Sequence, residues 1–346
     1  MSVEILVEPN ERALADAREL ALQFPCSTPL GDPRWCSILT ESYRAIPVLA
    51  RQKSSDGEPR GLLGGYVART IFGGQHAFFG LRSGLLTNEE AVAIELIERA
   101  KLFAQKRGLD QCLISAGRNA PTSEFRFGTR TTVTMKVESS AEKQLKALPG
   151  KARNLLRKGW KLGVKVESHH DLVDVAYDLY RDRMVERLVP IYNRRLFHAV
   201  IRQFGSDSEV IIARHNGAAV SAMVALYGQN ICIYWVNGST GAARPVNANY
   251  VLFAHILDQC RDRGIPEFDM AESTPGGSVH FFKTQFGGHD VPLYYYDPLT
   301  GEPPPDNFGS TVRSSERAAR NSPVAYLPVS LKRAILDFRR ASGRVI

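Results

Sequence analysis

The chain of 346 residues has little that would staple it, anchor it in a bilayer or load it with metal. Its five cysteines, Cys26, Cys36, Cys112, Cys232 and Cys260, are scattered, odd in number and without C-x-x-C spacing. Three of them fall in apolar strands or a helix, where a thiol packs as a small hydrophobe. That argues against structural zinc and for a reducing compartment. No apolar run reaches the length of a membrane span. The N-terminal stretch MSVEILVEPNERALADAREL lacks the basic flank and apolar core of a secretion signal. The chain is therefore expected to be cytosolic. His169, His170 and Asp171 could suggest a metal site, but neighbours along a strand or helix point apart and no third His is near. No metal site is expected.

What is present is apolar material and localised positive charge. An apolar content of 44% at this length allows a sizeable core and makes two domains the natural expectation. The net charge of +8 is unevenly placed. Residues 151–165 (KARNLLRKGWKLGVK) hold six Lys or Arg and no acid, and residues 311–346 hold eight basic and two acidic residues. Each stretch could face phosphates or an acidic membrane surface, or be a solvated helix face.

The order of elements repeats. A hairpin, a loop, a helix, an Arg-Gly stop and a strand are read around residues 61–115 and again around 217–271. Lys106-Arg107-Gly108-Leu109 corresponds to Asp262-Arg263-Gly264-Ile265, and Gly74-Gln75 to Gly228-Gln229, at offsets of 156 and 154 residues. In the first copy Thr87 and Glu90 suggest a capping box, and Ala93, Leu96, Ile97, Ala100 and Ala104 form one apolar face. In the second, the loop Asn237–Ala248 is read as longer than its counterpart and rich in Gly, Ser, Asn and Arg. Function tends to sit in such differences on a shared scaffold. The expected domains are 1–150, 151–300 as the catalytic half, and 301–346 as a Pro-rich linker with a basic helix at 331–342.

The run Lys151–Lys165, Met184…Pro190, Phe204-Gly205, the hairpin, Asn247-Ala248-Asn249, Phe268-Asp269 and Phe282-Lys283…Phe286-Gly287 resembles the FemAB-like family of aminoacyl and acyl transferases. The branch beside bacterial exopolysaccharide and protein-sorting (PEP-CTERM) loci looks nearest. The resemblance implies an α/β fold of two tandem acetyltransferase-like (GNAT) domains with mixed sheets. It also implies an acyl-CoA or aminoacyl-tRNA cosubstrate with no tightly bound cofactor, and an amine acceptor. The chain lacks room for the coiled-coil arm of peptidoglycan bridge-forming members.

Metal-free acyl transfer to an amine needs a held donor, a base and a cation or N–H group for the developing oxyanion. Gly238, Ser239, Arg244, Asn247 and Asn249 are read as donor-binding: Gly allows close approach, Arg244 can pair with phosphate and Asn249 can cap the helix. An ordinary surface loop is the other reading. Asp269 and Glu272 flank a strand end and could take the amine's proton, or pair with a local Arg. Tyr234 and Trp235 point to opposite faces, one to the core and the other to a substrate groove. Arg153, Arg157 and Lys158 could hold the phosphates of a nucleotide- or lipid-linked acceptor or of tRNA. Lys283 is expected off the face shared by Phe282 and Phe286, turned to the cleft, where a cation serves the oxyanion; the resemblance marks this Lys as characteristic. RNA binding through 151–165, a catalytically inactive scaffold, and peripheral membrane contact through the basic tail remain alternative or additional readings.

Overall fold

The computed structural model describes residues 3–24, 27–54, 56, 59–69, 74–80, 84–118, 121–187 and 191–304. The expected basic tail helix and the Leu188-Val189-Pro190 break lie outside these residues. The chain divides into two compact units. One runs from the N-terminus to Arg130 and takes in the stretch beginning at Pro292, and the other is Thr131–Val291.

In chain order the first unit has β1 (Glu4–Val7), α1 (Glu11–Leu22), α2 (Arg34–Tyr43), β2 (Ile46–Lys53), β3 (Pro59–Arg69), β4 (Gln75–Phe79), β5 (Leu85–Leu86), α3 (Glu90–Lys106) and β6 (Gln111–Gly117). Strands β1 to β4 are antiparallel neighbours. Then β4 runs parallel to β6, from His76↔Gln111 to Phe79↔Ile114, with α3 making the crossover. The predicted face of α3, Ala93, Leu96, Ile97, Ala100 and Ala104, is buried with Val48, Leu63, Phe79 and Ile114. Gly108 closes the helix with φ 60°, a conformation that costs glycine little. The capping box does not form. Glu89 is the cap residue, Thr87 accepts from the Glu89 N–H, and the Glu90 carboxylate takes Thr122 and Ser123 instead.

The second unit has most of β7 (Gly128–Lys136), then α4 (Ala141–Ala147), α5 (Gly150–Lys161), β8 (Lys165–Ser168), α6 (Val173–Arg187), α7 (Arg194–Phe204), β9 (Ser208–His215), β10 (Ala218–Tyr227), β11 (Ile231–Ser239), α8 (Ala248–Asp262), β12 (Glu267–Glu272) and α9 (Ser278–Phe286). Its sheet is ordered β7-β12-β11-β10-β9-β8. Strands β8 to β11 are antiparallel neighbours, α8 crosses over, and β12 returns parallel to β11. This matches the first unit step for step, so the duplicated α/β reading holds, with mixed sheets in both copies. Phe253 of α8 packs edge-on to Phe268 and Phe286, with centroids 5.4 and 5.1 Å away.

Three sequence readings are corrected here. The expected boundary between residues 150 and 151 is not where the units divide: the second begins at Thr131 and contains α5, with Ala152, Leu156 and Gly159 buried. The loop contrast also fails. Residues Asn237–Ser239 extend β11, so the connection to α8 is 240–247, against 80–89 before α3. Finally, each copy's next strand joins the other unit. After β6 the chain enters β7, which pairs antiparallel with β12. After α9 it enters β13 (His289–Tyr296), whose Tyr294–Tyr296 pair antiparallel with β6.

Candidate active site

A gap opens in the second unit where two parallel strands separate. Strand β11 pairs with β10 along its length, from Tyr227↔Cys232 to Ser221↔Ser239. Its pairing with β12 stops at Ile233↔Asp269. Beyond Tyr234 this edge of β11 has no strand neighbour among the described residues.

The separation is built into β12. Its register against β7 breaks between Asp269 and Glu272, and Ala271 adopts φ 65°, a left-handed conformation rare outside glycine. Such a residue costs about 1–3 kcal/mol and persists only where its surroundings fix it. Here three groups do so. The Ala271 N–H and the Thr132 hydroxyl both donate to Asp269 Oδ1 at 2.6 Å. Lys283 Nζ donates to the carbonyl oxygens of Ala271 at 2.8 Å and Glu272 at 3.0 Å. The sequence-predicted trio Lys283, Asp269 and Glu272 is therefore brought together, but not as expected. Lys283 is 1% exposed, buried under the end of β12 and 5.5 Å from the Tyr234 ring, rather than turned out to a cleft. Asp269 is buried and fixes the bend. Glu272, half-buried at the strand end, is the carboxylate nearer solvent.

The donor-loop residues separate by role. A Cβ on Gly238 would lie 2.2 Å from the Tyr180 nitrogen, so this glycine serves the close approach of α6, not of a ligand. Ser239 is the last residue of β11 and Arg244 is exposed in the loop. Asn249 does not cap α8. It lies in the first turn, where its Oδ1 accepts from Ser221 Oγ at 2.6 Å, and Ser221 also donates to the Gly238 carbonyl at 3.1 Å. The cap position is Asn247, left-handed at φ 56°, with no side-chain cap bond and with Nδ2 buried and unpartnered. The α8 N-terminus thus keeps free N–H groups, the usual setting for an anion.

On β11 the two aromatic residues do face opposite ways. Trp235 stacks on Tyr192 and packs on Phe197, with centroids 6.0 and 5.0 Å away. Tyr234 packs on Phe253 and lies beside Lys283. On α5, Arg153 donates to the Leu145 and Lys146 carbonyls at the end of α4, while Arg157 and Lys158 are exposed. Gly159 brings α5 against the α8 start: a Cβ there would be 2.7 Å from Val251 Cγ2 and 3.5 Å from the Asn247 carbonyl oxygen.

Sequence reasoning missed Thr132, Ser221 and Ala271. A Thr or Ser in a strand is ordinary, and Ala carries no preference for a left-handed bend. Cys36, Cys112, Cys232 and Cys260 are buried free thiols, and burial pushes Cys36 up to about 12, which makes it inert.

Residues 142–283, most of the second unit, match the family model of the acetyltransferase (GNAT) domain. Over these residues the second unit carries a GNAT-type domain. Among solved structures the chain is similar to FemX, with a TM-score of 0.65 at 11% identity over 84% of this chain and 96% of FemX. It is similar to the C-terminal domain of a protein named as a lysylphosphatidylglycerol synthetase of Agrobacterium fabrum: TM-score 0.54, 13% identity, 89% and 97% covered. A tandem GNAT protein of the clavulanic acid biosynthesis pathway matches at TM-score 0.50 and 11% identity, with 86% and 99% covered. At these identities the likeness is one of fold. No curated protein sequence matches the chain. Among the described residues no helix of the GNAT domain or its companion unit is long and apolar enough to cross a membrane.

Proposed function

We propose that the second unit transfers an acyl or aminoacyl group from an activated donor to an amine on a cell-envelope or exopolysaccharide-related acceptor. The observation that carries this is the separation of β11 from β12 beyond Ile233↔Asp269, beside the uncapped start of α8. The donor's acyl chain lies along the free edge of β11, next to Tyr234. Its phosphates meet the α8 N–H groups, Asn247 Nδ2 and Arg244. Arg157 and Lys158, on the helix that packs against that start, face a phosphate-bearing acceptor.

In the reaction the amine nitrogen attacks the donor carbonyl and forms the C–N bond. Glu272 takes the amine's proton, and the carbonyl electrons return as the bond to the donor's sulfur or oxygen breaks. The leaving thiolate or alkoxide is then protonated. Lys283 pins the Glu272 and Ala271 carbonyls and places positive charge under the site, which lowers the cost of the developing oxyanion.

The test is incubation with pools of acyl-CoA and charged tRNA in the presence of amine acceptors, read by mass spectrometry. Consumption of one pool, with a matching mass gain on an amine, is the expected result. No turnover of either pool, together with salt-dependent retention of RNA, would favour the RNA-binding reading instead.

A further inference from the structure

The basic face of α5 differs from the rest of the second unit in how its charge is compensated. Elsewhere in this unit several cations are held by carboxylates. Arg181 pairs with Asp178 at 2.9 Å, Arg183 with Glu186 at 2.9 Å, Arg194 with Asp178 at 2.6 Å, Arg214 with Glu167 at 2.6 Å and Arg261 with Asp258 at 2.6 Å. Lys151, Arg157, Lys158, Lys161 and Lys165 are all exposed, and none has an ion-pair partner among the described residues.

Two large apolar side chains stand in the middle of this charge. Trp160 is 48% exposed and Leu162 is 39% exposed, flanking Lys161 in the last turn of α5. They are two of the five exposed large hydrophobics of the described chain. The tip is held firmly from below, with Ala152, Leu156 and Gly159 buried and Gly163, at φ 78°, turning the chain into β8. An exposed indole costs solvation unless something covers it, and uncompensated cations repel one another unless an anionic surface faces them.

We infer that the tip of α5 docks on an anionic lipid surface, with Trp160 and Leu162 entering the headgroup boundary and Lys161 and Lys165 meeting lipid phosphates. The combination favours lipid over nucleic acid. A bilayer interface takes up both an indole and an aliphatic chain, among cations that attract acidic headgroups. Single-stranded nucleic acid is held on a series of aromatic platforms, and Leu162 offers it nothing. The inference stands apart from the acyl-transfer reading, and its readout involves no turnover.

The experiment is co-sedimentation of the full chain with vesicles of phosphatidylcholine alone or mixed with phosphatidylglycerol. Binding is expected only to the anionic vesicles. Trp160→Ser/Leu162→Ser and Lys161→Glu/Lys165→Glu should each raise the half-saturating lipid concentration by about tenfold or more. Of the three tryptophans, Trp35 is buried and Trp235 is stacked on Tyr192, so vesicles should blue-shift the emission of the native chain through Trp160. Trp160→Phe should abolish the shift. This spectroscopic arm needs no destabilising change. The inference is overturned if neither vesicle binds, or if binding occurs unchanged in both double variants. It is also overturned if the charge variants lose retention of tRNA while the native chain ignores vesicles.

Discussion

Lys283 Nζ donates a 2.8 Å hydrogen bond to the carbonyl oxygen of Ala271, the one non-glycine residue of β12 with positive φ. The contact joins a buried cation to a bent backbone where the two parallel strands part. It makes Lys283 part of the architecture, beside the role proposed for it in the chemistry. Replacing it with Met keeps the volume of the stem and leaves two carbonyls without their donor. Each unsatisfied buried group costs about 1–3 kcal/mol, so losing the donor to two carbonyls in Lys283→Met should lower the unfolding free energy by roughly 2–6 kcal/mol. Denaturant titration measures this. Activity, once the donor is known, should fall on the order of 10²–10³. Full stability and full activity together would remove both roles from the residue.

Gly238→Ala tests why that glycine is there. Its added Cβ meets the Tyr180 nitrogen at 2.2 Å and the Leu179 carbonyl carbon at 2.3 Å, both backbone atoms that cannot swing aside. Overpacking of this kind typically costs about 1–3 kcal/mol. A lower melting temperature is therefore expected, whether or not a donor is present. A variant that melts normally and loses only donor affinity would return Gly238 to the ligand-binding loop.

Arg244 is exposed and lies in the connection to α8, so Arg244→Ala should leave stability within about 0.5 kcal/mol. If it pairs with donor phosphate, the apparent donor KM rises about tenfold or more at low ionic strength, since hydrogen bonds to charged groups contribute about 1.5–3 kcal/mol. The difference from the native chain should shrink as salt is added. A KM equal to the native value at low salt would count against this residue as a donor contact.

Glu209 gives a pH prediction. Burial alone would raise its carboxyl, but hydrogen bonds from His255 (2.8 Å), Ser168 (2.5 Å) and Tyr227, with the charge on His255, outweigh burial and hold it below its ordinary value of 4.5. A depressed folded-state value contributes stability above the unfolded value and loses it as pH falls through the folded one. The native chain should therefore lose stability below about pH 4.5, and Glu209→Gln should show a shallower loss in that window. Denaturation curves taken from neutral pH to well below pH 4.5 would show it. Equal slopes for both proteins would mean that the network does not depend on the charge.

Much of the scaffold was legible because it is periodic and repeated. The face Ala93, Leu96, Ile97, Ala100 and Ala104 and the stops at Gly108 and Gly264 follow from helix geometry and left-handed glycine. The offset between the copies reappears in the registers His76↔Gln111 and Ile231↔Glu267. The inward turn of Lys283 was not legible. Helical spacing put Phe282 and Phe286 inside, and Phe286 is buried, but Lys283 is drawn in by two carbonyls that exist only because Ala271 bends. Asn249 was read as a cap for a similar reason. The left-handed Asn247 moves the helix start two residues earlier, which no side-chain preference announces.

The reciprocal assignment of β7 and β13 bears on how the protein can be made. On a ribosome the first unit's sheet waits for its last strand until Tyr296 has been synthesised, long after β6 has emerged. Until then β6 exposes an unpaired edge, the kind of surface that invites pairing with another chain. Expressing residues 1–130 alone would fix that state permanently. Neither half of the chain is a cassette that can be cut out, moved or fused by a single break.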